Sequence, residues 1–221
     1  MTPFINIHTH QIGSNSEDIV ITDWFTASHK SQNILGYFSA GLHPWFIDAT
    51  NFNLQFHEIQ SIASNFNCKA IGECGLDKNK GPAMDLQIQL FEQQINLAIQ
   101  VKKPVIVHCV KAFDLLIPII KKYQNRVLFI VHGFNQNEQI ANQLIEKGVY
   151  LSFGAALLNS KNKRLKLIFS QSSNAQIFLE NDAADSTIQK IFEAAASIKK
   201  CDVDMMKEVI FANYKTVFTN E

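Results

Sequence analysis

Six side chains of the kinds that bind metal ions stand at the ends of short apolar runs in this sequence. They are His8, His10, Glu73, His108, His132 and Asp182. Imidazole and carboxylate groups together suit Zn, Mn, Ni or Co, and they tolerate Mg less well. A lone His or carboxylate in such a place is more often structural, for example as a helix cap. Because such side chains recur at the ends of five separate segments, a metal site is the favoured interpretation.

The first of these runs, INIHTH, carries two of the six side chains. In an extended strand, residues two apart point to the same face. His8 and His10 can therefore bind one metal ion together, which makes this pair more indicative than a single histidine.

Eight apolar runs are predicted to be the strands that position these side chains. The runs are PFINIH, DIVITDW, ILGYFSAGLH, KAIGECG, PVIVHC, VLFIVHG, VYLSFG and AQIFLEND. Helical patterns lie at residues 84–101, 113–123, 137–147, 161–171, 187–199 and about 204–218. Such alternation predicts parallel strands with helical crossovers. Eight strands favour a closed (β/α)8 TIM-type barrel, in which all the carboxyl ends of the strands face one rim.

The predicted barrel is slightly distorted near its start. Between His10 and the run that ends at His43, there is room for only a short second strand and almost no helix. We therefore expect the first helix to be shortened or missing. No linker, repeat or low-complexity tract divides the chain, so residues 1–221 are expected to form a single domain.

Composition excludes several classes of protein. The chain has 221 residues, 47% of them hydrophobic, and a formal net charge of zero, so it is neither disordered nor basic enough to indicate binding of long duplex DNA. No signal peptide or transmembrane run is visible. The four cysteines form no CxxC pair and are expected to be buried, reduced thiols. These features predict a cytoplasmic monomer or weak oligomer that does not associate with membranes.

Several motifs occur in a recognisable order between about residue 5 and residue 218. They are INIHTH, GLHPW, AIGECGLD, PVIVHC, VHGF, LSFG, LENDA and FANYKTVF. HxH alone is a weak signal, but the whole ordered set is specific. On these motifs, the chain resembles the TatD family of metal-dependent hydrolases, also described as TatD-type DNases, within the amidohydrolase-like superfamily.

The resemblance implies two divalent metal ions, drawn from Zn, Mn, Ni, Co or Mg, with Glu73 as the bridging ligand. One ion would be held by His8, His10, Glu73 and Asp182. The other would be held by Glu73, His108 and His132. Related amidohydrolases often use a carbamylated lysine as the bridge, whereas the matching strand here offers Glu73, which favours the TatD-like branch.

Two-metal chemistry then implies roles for the carboxylates, with Asp182 and Glu73 as the catalytic pair. A water held between ions roughly 3.5–4 Å apart becomes a nucleophile near neutral pH. Asp182 is the best candidate for the general base, because it should contact both an ion and the attacking water. His43, in GLHPW, has two open interpretations: a substrate contact, or a histidine that caps the turn at the following proline.

The match weakens in the part of the site that would bind substrate. Family members often carry an arginine two residues after the position of His108, where it could clamp a phosphate. Here that position is Val110, and Lys111 follows it. Lys111 either replaces the arginine as a substrate-binding point charge or is an ordinary surface lysine, and the spacing favours the second interpretation.

The sequence departs from the family pattern at two further places near predicted strand ends. Lys78 and Lys80 follow Asp77 where many relatives have an aromatic residue, and they either contact a phosphate or belong to a solvated loop. Asn181 stands where the family usually has threonine. The predicted metal ligands thus match the family, whereas the predicted substrate contacts depart from it.

The sequence therefore predicts a divalent-metal-dependent hydrolase, namely a phosphodiesterase or deoxyribonuclease acting on DNA ends or single strands. One alternative is hydrolysis of another small phosphate ester, ester or amide. A second alternative is a barrel that binds metal without catalysis. The second is disfavoured by Asp182, which such a protein would not need.

Overall fold

The described strands form one eight-stranded sheet in which every neighbouring pair is parallel and the spatial order follows the chain. The structure is a computed structural model, and it describes residues 2–11, 17–24 and 36–219. The strands are β1 (Ile5–Thr9), β2 (Ile19–Asp23), β3 (Tyr37–Ala40), β4 (Cys68–Asp77), β5 (Val105–Val110), β6 (Phe129–Val131), β7 (Tyr150–Phe153) and β8 (Ile177–Leu179). All eight predicted strands are thereby confirmed.

The sheet closes between β1 and the segment that follows β8. The backbone N–H of Asp182 donates to the carbonyl of His8 (3.1 Å), and the N–H of His10 donates to the carbonyl of Asp182 (3.3 Å). Below them, the Asn6 amide donates to the Asn181 side chain (2.8 Å), and the Asn181 backbone N–H donates back to Asn6 Oδ1 (3.1 Å). These contacts confirm the predicted TIM-type barrel.

Seven α-helices lie wholly within the described residues, where they connect or cover the strands. They are α1 (Phe52–Ala63), α2 (Met84–Val101), α3 (Phe113–Tyr123), α4 (Glu138–Ile145), α5 (Lys163–Gln171), α6 (Ile188–Lys199) and α7 (Val203–Phe218). The six predicted helices are present, with bounds that differ by two residues at most. Helix α1 was not predicted from the sequence. Its buried residues are only Ile59 and Ala63, so its apolar pattern is faint.

The expectation of a shortened first helix falls largely outside the described residues. Between β1 and β2, the structure describes only residues 10–11 and 17–18, which are bends and a turn. Between β2 and β3, residues 25–35 are likewise outside the described part. The shortness of the connection between β1 and β2 is fixed by the chain itself, since residue 10 follows β1 and residue 18 precedes β2.

Strand β4 differs from the prediction in a way that matters for the site. The sequence was interpreted as ending this strand at Glu73, whereas β4 runs on to Asp77. Glu73 therefore lies inside the strand, within the register shift between Ile71 and Cys74. Gly72 permits this, because its φ is +144° and a Cβ there would overlap the Ile106 carbonyl of β5.

The hydrophobic core surrounds the barrel and fills the space between strands and helices. Along β1, the apolar Ile5 and Ile7 alternate with Asn6 and His8, and all four are buried. Strand β1 thus places apolar side chains on one face and polar ones on the other, whereas the described residues of β6, Phe129–Val131, are apolar and buried throughout. Among the described residues, no helix is both long and apolar enough to cross a membrane.

Candidate metal centre

The carboxylate of Glu73 lies at the centre of the carboxyl-end rim, buried and surrounded by imidazoles. Its Oε2 atom faces the pair from β1, with His8 Nε2 at 3.1 Å and His10 Nε2 at 3.5 Å. Asp182 joins this side, because its Oδ1 lies 3.1 Å from His10 Nε2 and 3.8 Å from His8 Nε2. Three imidazole or carboxylate side chains therefore converge beside one oxygen of Glu73.

The other oxygen of Glu73 faces a different group of imidazoles. Its Oε1 atom lies 2.7 Å from His108 Nδ1, 2.8 Å from His132 Nε2 and 3.1 Å from His43 Nε2. Ligand atoms bonded to one ion at about 2.1 Å are themselves separated by roughly 3.0–3.4 Å. The distances from Glu73 to His8 and His43 (3.1 Å each) lie in this range, and those to His108 and His132 are shorter. The side chains on each side of Glu73 are thus close enough to share an ion with it.

His8 provides an independent test of whether a metal fits. The residue has no exposed surface, and neither of its ring nitrogens makes a hydrogen bond to any of the described residues, although Nε2 is 3.1 Å from Glu73 Oε2. Buried nitrogens without partners are costly and rare in folded proteins. A cation beside His8 and Glu73 would satisfy the Nε2 atom, so the residues present fit a bound metal.

Within the part of the chain that the structure describes, three groups of side chains could each hold an ion. Within each group, the ligand atoms lie within 4.8 Å of one another. The groups are His8 with His10 and Asp182; His8 with Glu73 and His132; and His43 with Glu73 and His108. The six side chains singled out in the sequence are thus brought together by the fold. His43 joins them, although the sequence suggested a substrate contact or a cap.

His43 has both a structural and a site-facing contact. Its Nδ1 accepts a hydrogen bond from the backbone N–H of Trp45 (3.0 Å), which caps the short 3₁₀ turn at Pro44–Phe46. The opposite nitrogen faces Glu73. Burial lowers the pKa of His43, so a neutral imidazole able to bind a metal is favoured.

The charges in the rim favour a bound cation. Burial alone would raise the pKa of Glu73, but the nearby His132 and His8 lower it by a larger amount. The net pKa lies well below the usual value, so the carboxylate stays ionised. Burial lowers the pKa of His132, but Glu73 and Glu180 raise it well above the usual value. The pKa of His10 rises to about 10, because hydrogen bonds to Asp182 and Glu73 outweigh burial. These pKa directions favour positively charged imidazoles beside ionised carboxylates, and a divalent ion that binds here would displace their protons.

Glu180 orients His132, and the sequence analysis did not assign it. Its Oε1 accepts from the Gly133 backbone N–H (2.6 Å) and lies 3.2 Å from His132 Nδ1, while Ser152 Oγ donates to Oε2. With Nδ1 engaged, His132 presents Nε2 to Glu73. The only signal was its position directly after β8, two residues before Asp182, within LEND.

Asp77 plays the corresponding role for His108. Its Oδ2 lies 3.2 Å from His108 Nε2, which leaves Nδ1 for the centre. The same oxygen accepts from the indole Nε1–H of Trp45 (2.6 Å), and Oδ1 accepts from the backbone of Asn79 (2.7 Å). Asp77 belongs to the GLD motif, but the spacing of that motif did not indicate a contact between Asp77 and the imidazole of His108.

Asp23, at the end of β2, contacts the backbone of Glu73. Its Oδ2 accepts from the backbone N–H of Glu73 (3.3 Å), and its Oδ1 lies 3.9 Å from His10 Nδ1. The sequence analysis did not assign this residue either. A strand-end aspartate in DIVITDW was a signal of the same kind as those that were used.

A cavity of about 360 Å³ opens above Glu73. All of the predicted ligands line it except the fully buried His8, and His43, Trp45, Phe46 and Ala183 complete the lining. Lys111 is exposed and is not among the described residues that line it. The Asp182 side chain is 43% exposed, so it is accessible to water and substrate.

Comparisons with known proteins agree with this geometry. The family described as "TatD related DNase" matches residues 7–219. YabD of Bacillus subtilis, named a metal-dependent hydrolase, is 27% identical over 199 residues, which are 82% of this chain and 77% of that protein. A Cronobacter sakazakii protein named "3'-5' ssDNA/RNA exonuclease TatD" is 32% identical over 154 residues, covering 66% of this chain and 56% of that protein.

The barrel also matches solved structures. The TatD homologue YjjV of Escherichia coli superposes with a TM-score of 0.81 over 99% of this chain and 98% of that one. Its sequence identity is 20%, so this likeness concerns the fold alone.

Proposed function

This chain belongs to the TatD-related DNase family, and from that premise we propose that it hydrolyses phosphodiester bonds at DNA ends or in single strands. The reaction would use two divalent ions, drawn from Zn, Mn, Ni, Co or Mg. Their ligands would be His8, His10, Glu73, His108, His132 and Asp182. The observation that carries the proposal is the division of the two Glu73 oxygens between separate groups of imidazoles.

The side chains of the rim have distinct tasks in such a reaction. When bound, two divalent ions lower the pKa of a water between them and polarise a phosphoryl oxygen. Asp182 is exposed to the cavity and takes the proton of the attacking water. Glu180 and Asp77 hold the imidazoles of His132 and His108 in the orientation that faces Glu73.

The net charge of the chain and its similarity to a named exonuclease both support this substrate class. The chain has no net charge, so it lacks the excess of cations with which proteins hold long duplex DNA. The Cronobacter relative is named for exonuclease activity on single-stranded DNA and RNA. A cavity of about 360 Å³ accommodates a nucleotide unit more readily than a double helix.

We also propose that residues 1–221 act as one cytoplasmic domain, as a monomer or weak oligomer. The described strands belong to one sheet, and the four cysteines are free thiols, as is common in reducing compartments.

The test is a metal-screened assay on three substrates: end-labelled single-stranded DNA, a nitrophenyl phosphodiester and a nitrophenyl ester. Metal-stripped protein is reloaded with each ion in turn. We expect hydrolysis of both phosphodiesters, absent in chelator and lost together with metal in Glu73→Gln. Exposed Glu58 lies on helix α1, so Glu58→Gln is the matched control and should behave as wild type. Hydrolysis of the ester alone would refute the phosphodiesterase assignment.

A further inference from the structure

Two aromatic side chains at the mouth of the cavity are not used by the metal centre. Trp45 and Phe46, in the 3₁₀ turn after His43, are 42% and 44% exposed and line the cavity. The Trp45 ring lies 5.0 Å from the His43 ring and 5.7 Å from the His108 ring, measured between centroids. The indole is thus one imidazole away from the Glu73 carboxylate.

The orientation of Trp45 is fixed by a hydrogen bond. Its Nε1–H donates to Asp77 Oδ2 at 2.6 Å, the oxygen that also contacts His108 Nε2. Because Asp77 is buried and accepts further backbone hydrogen bonds, it anchors the indole rigidly beside the centre. A large ring held in place while partly open to solvent is preorganised for stacking, since little rotamer freedom remains to be lost on binding.

A lysine completes this surface. Lys80 Nζ lies 4.0 Å from the centroid of the Trp45 ring. Within the described part of the chain, Lys80 forms no ion pair, whereas the neighbouring Lys78 is paired with Asp114 at 2.7 Å. The loop after β4 therefore brings to one face of the Trp45 ring a cation that has no carboxylate partner among the described residues.

We propose that Trp45, Phe46 and Lys80 form a subsite for a single-stranded nucleotide, which we call the stacking subsite. Trp45 and Phe46 stack on the base next to the phosphate at the metal centre, and Lys80 contacts an adjacent phosphate. The proposal rests on the phosphodiesterase function. Proteins that bind single strands without sequence preference combine aromatic stacking with backbone cations. A base paired inside a duplex cannot offer its face, so the subsite selects unpaired strands.

The stacking part is tested by comparing two single-stranded oligonucleotides, one intact and one with an abasic site beside the scissile phosphate. Wild type should prefer the intact strand in kcat/KM by about 5- to 150-fold, the range of one base–aromatic stack. Trp45→Leu should abolish this preference. Trp45→Phe keeps an aromatic face but loses the hydrogen bond to Asp77, so it should retain most of the preference. Phe66→Ala, at an exposed aromatic before β4, is the matched control.

This design separates stacking from a merely structural role of Trp45. If Trp45 acts only by holding Asp77, Trp45→Phe and Trp45→Leu should lose activity equally on both strands, with the preference unchanged. That result would overturn the stacking subsite while leaving the phosphodiesterase function intact. Failure of wild type to cleave any phosphodiester would instead refute the function.

The lysine is tested by the salt dependence of single-strand binding to metal-free protein, where no hydrolysis interferes. Removal of one phosphate contact should weaken binding and reduce the slope of log K against log salt by about 0.7. We expect this for Lys80→Ala and not for Lys111→Ala, at the lysine that follows the position where family members often carry an arginine. Lys121→Ala, on the exposed last turn of α3, is the control. Weaker binding and a smaller salt slope in Lys111→Ala, with neither changed in Lys80→Ala, would overturn the assignment of the phosphate contact to Lys80.

Binding has an optical readout as well. The chain contains 2 tryptophans, so Trp45 is the sole indole in Trp24→Phe. Stacking of a base on Trp45 should quench its fluorescence on addition of the intact oligonucleotide, and quenching should be weaker with the abasic one. Equal quenching by both strands would contradict stacking.

Discussion

Asp182 combines a backbone role with a side-chain role at a single position. Its backbone closes the barrel against His8 and His10, and its φ of +50° lies in the left-handed region. Its carboxylate reaches His10 and the cavity. Substitutions must therefore preserve the backbone before they can report on the chemistry, and Asn does so because it tolerates this conformation.

Asp182→Asn should separate proton transfer from metal binding. Asn keeps an acceptor oxygen but cannot take a proton at neutral pH. We expect a loss of roughly 10²–10⁴ in the rate, in kcat more than in KM, with metal content and melting temperature close to wild type. Single-turnover rates and elemental analysis on one preparation measure this. A folded, metal-loaded variant with wild-type turnover would show that Asp182 is not the base.

Glu180→Gln tests the support of His132. An amide nitrogen would face the Gly133 N–H or the Ser152 hydroxyl, donors that Glu180 now accepts from. We expect metal affinity to fall about 10- to 100-fold, the usual effect of losing such a partner. Glu193→Gln, exposed on α6, is the control. Unchanged affinity in a folded Glu180→Gln protein would mean that His132 is held by other contacts.

The residue types of the centre were predictable from the sequence, but their partners were not. Histidines and carboxylates after apolar runs predicted that these side chains would meet at one rim, and the fold brings them together there. That they bind metal stays a prediction. Glu180, Asp77 and Asp23 act through contacts across 31 to 50 residues of sequence, which no local pattern encodes. Lys80 differs from Lys78 only through Asp114, a contact that likewise needs the fold.

At the scale of elements, the described residues of β1 and of the segment after β8 are joined by an isolated bridge between Thr9 and Asp182, and β8 itself has only three residues. The reciprocal contacts of Asn6 and Asn181 supply side-chain hydrogen bonds where the strand ladder is short. Both residues are buried. Asn181, a departure from the family pattern, therefore has a structural explanation at the closure of the barrel.

Asn6→Ala should destabilise the fold, because it leaves the buried Asn181 backbone N–H without its acceptor. An unsatisfied buried group costs about 1–3 kcal/mol. The urea midpoint should fall accordingly, while the far-UV circular dichroism stays that of wild type. Asn53→Ala, at an exposed position of α1, serves as the control. A change below about 0.5 kcal/mol, the range of ordinary surface substitutions, would contradict the role of this pair.

Element prediction succeeded where burial made the pattern strong. Helices α2 and α3 bury many apolar side chains along one face, and their predicted ends coincide with the structure. Helix α1 buries only two residues, and the apolar Leu54 is exposed. Its apolar residues therefore do not mark a single buried face, and the helix was not predicted. The extension of β4 beyond Glu73 depends on pairing with β5, which the sequence of β4 alone does not contain.

At the scale of the whole molecule, the metal centre joins distant parts of the barrel. Its proposed ligands come from β1, β4, β5, the end of β6 and the segment after β8. Ions that bind this arrangement bind only the folded chain, so they stabilise it by mass action. The gain is about 2.7 kcal/mol when the free ion is at 100 times its dissociation constant.

Removal of metal should therefore lower the melting temperature, and readdition should restore it in a concentration-dependent manner. Glu73→Gln should melt at a temperature that depends little on added ion, whereas Glu58→Gln should follow wild type. Differential scanning calorimetry of stripped and reloaded protein measures both. Identical melting of stripped and loaded wild type would argue against ligands drawn from the whole barrel.

The most direct test of the account is one titration in which bound metal and hydrolysis are measured together. Stripped protein is dialysed against increasing Mn or Zn, and each sample is analysed for ions per chain and for its single-turnover rate on end-labelled single-stranded DNA. The account predicts two ions per chain, with hydrolysis rising as the second ion binds across Glu73. Saturation at one ion with full activity, or full activity in stripped protein, would contradict it.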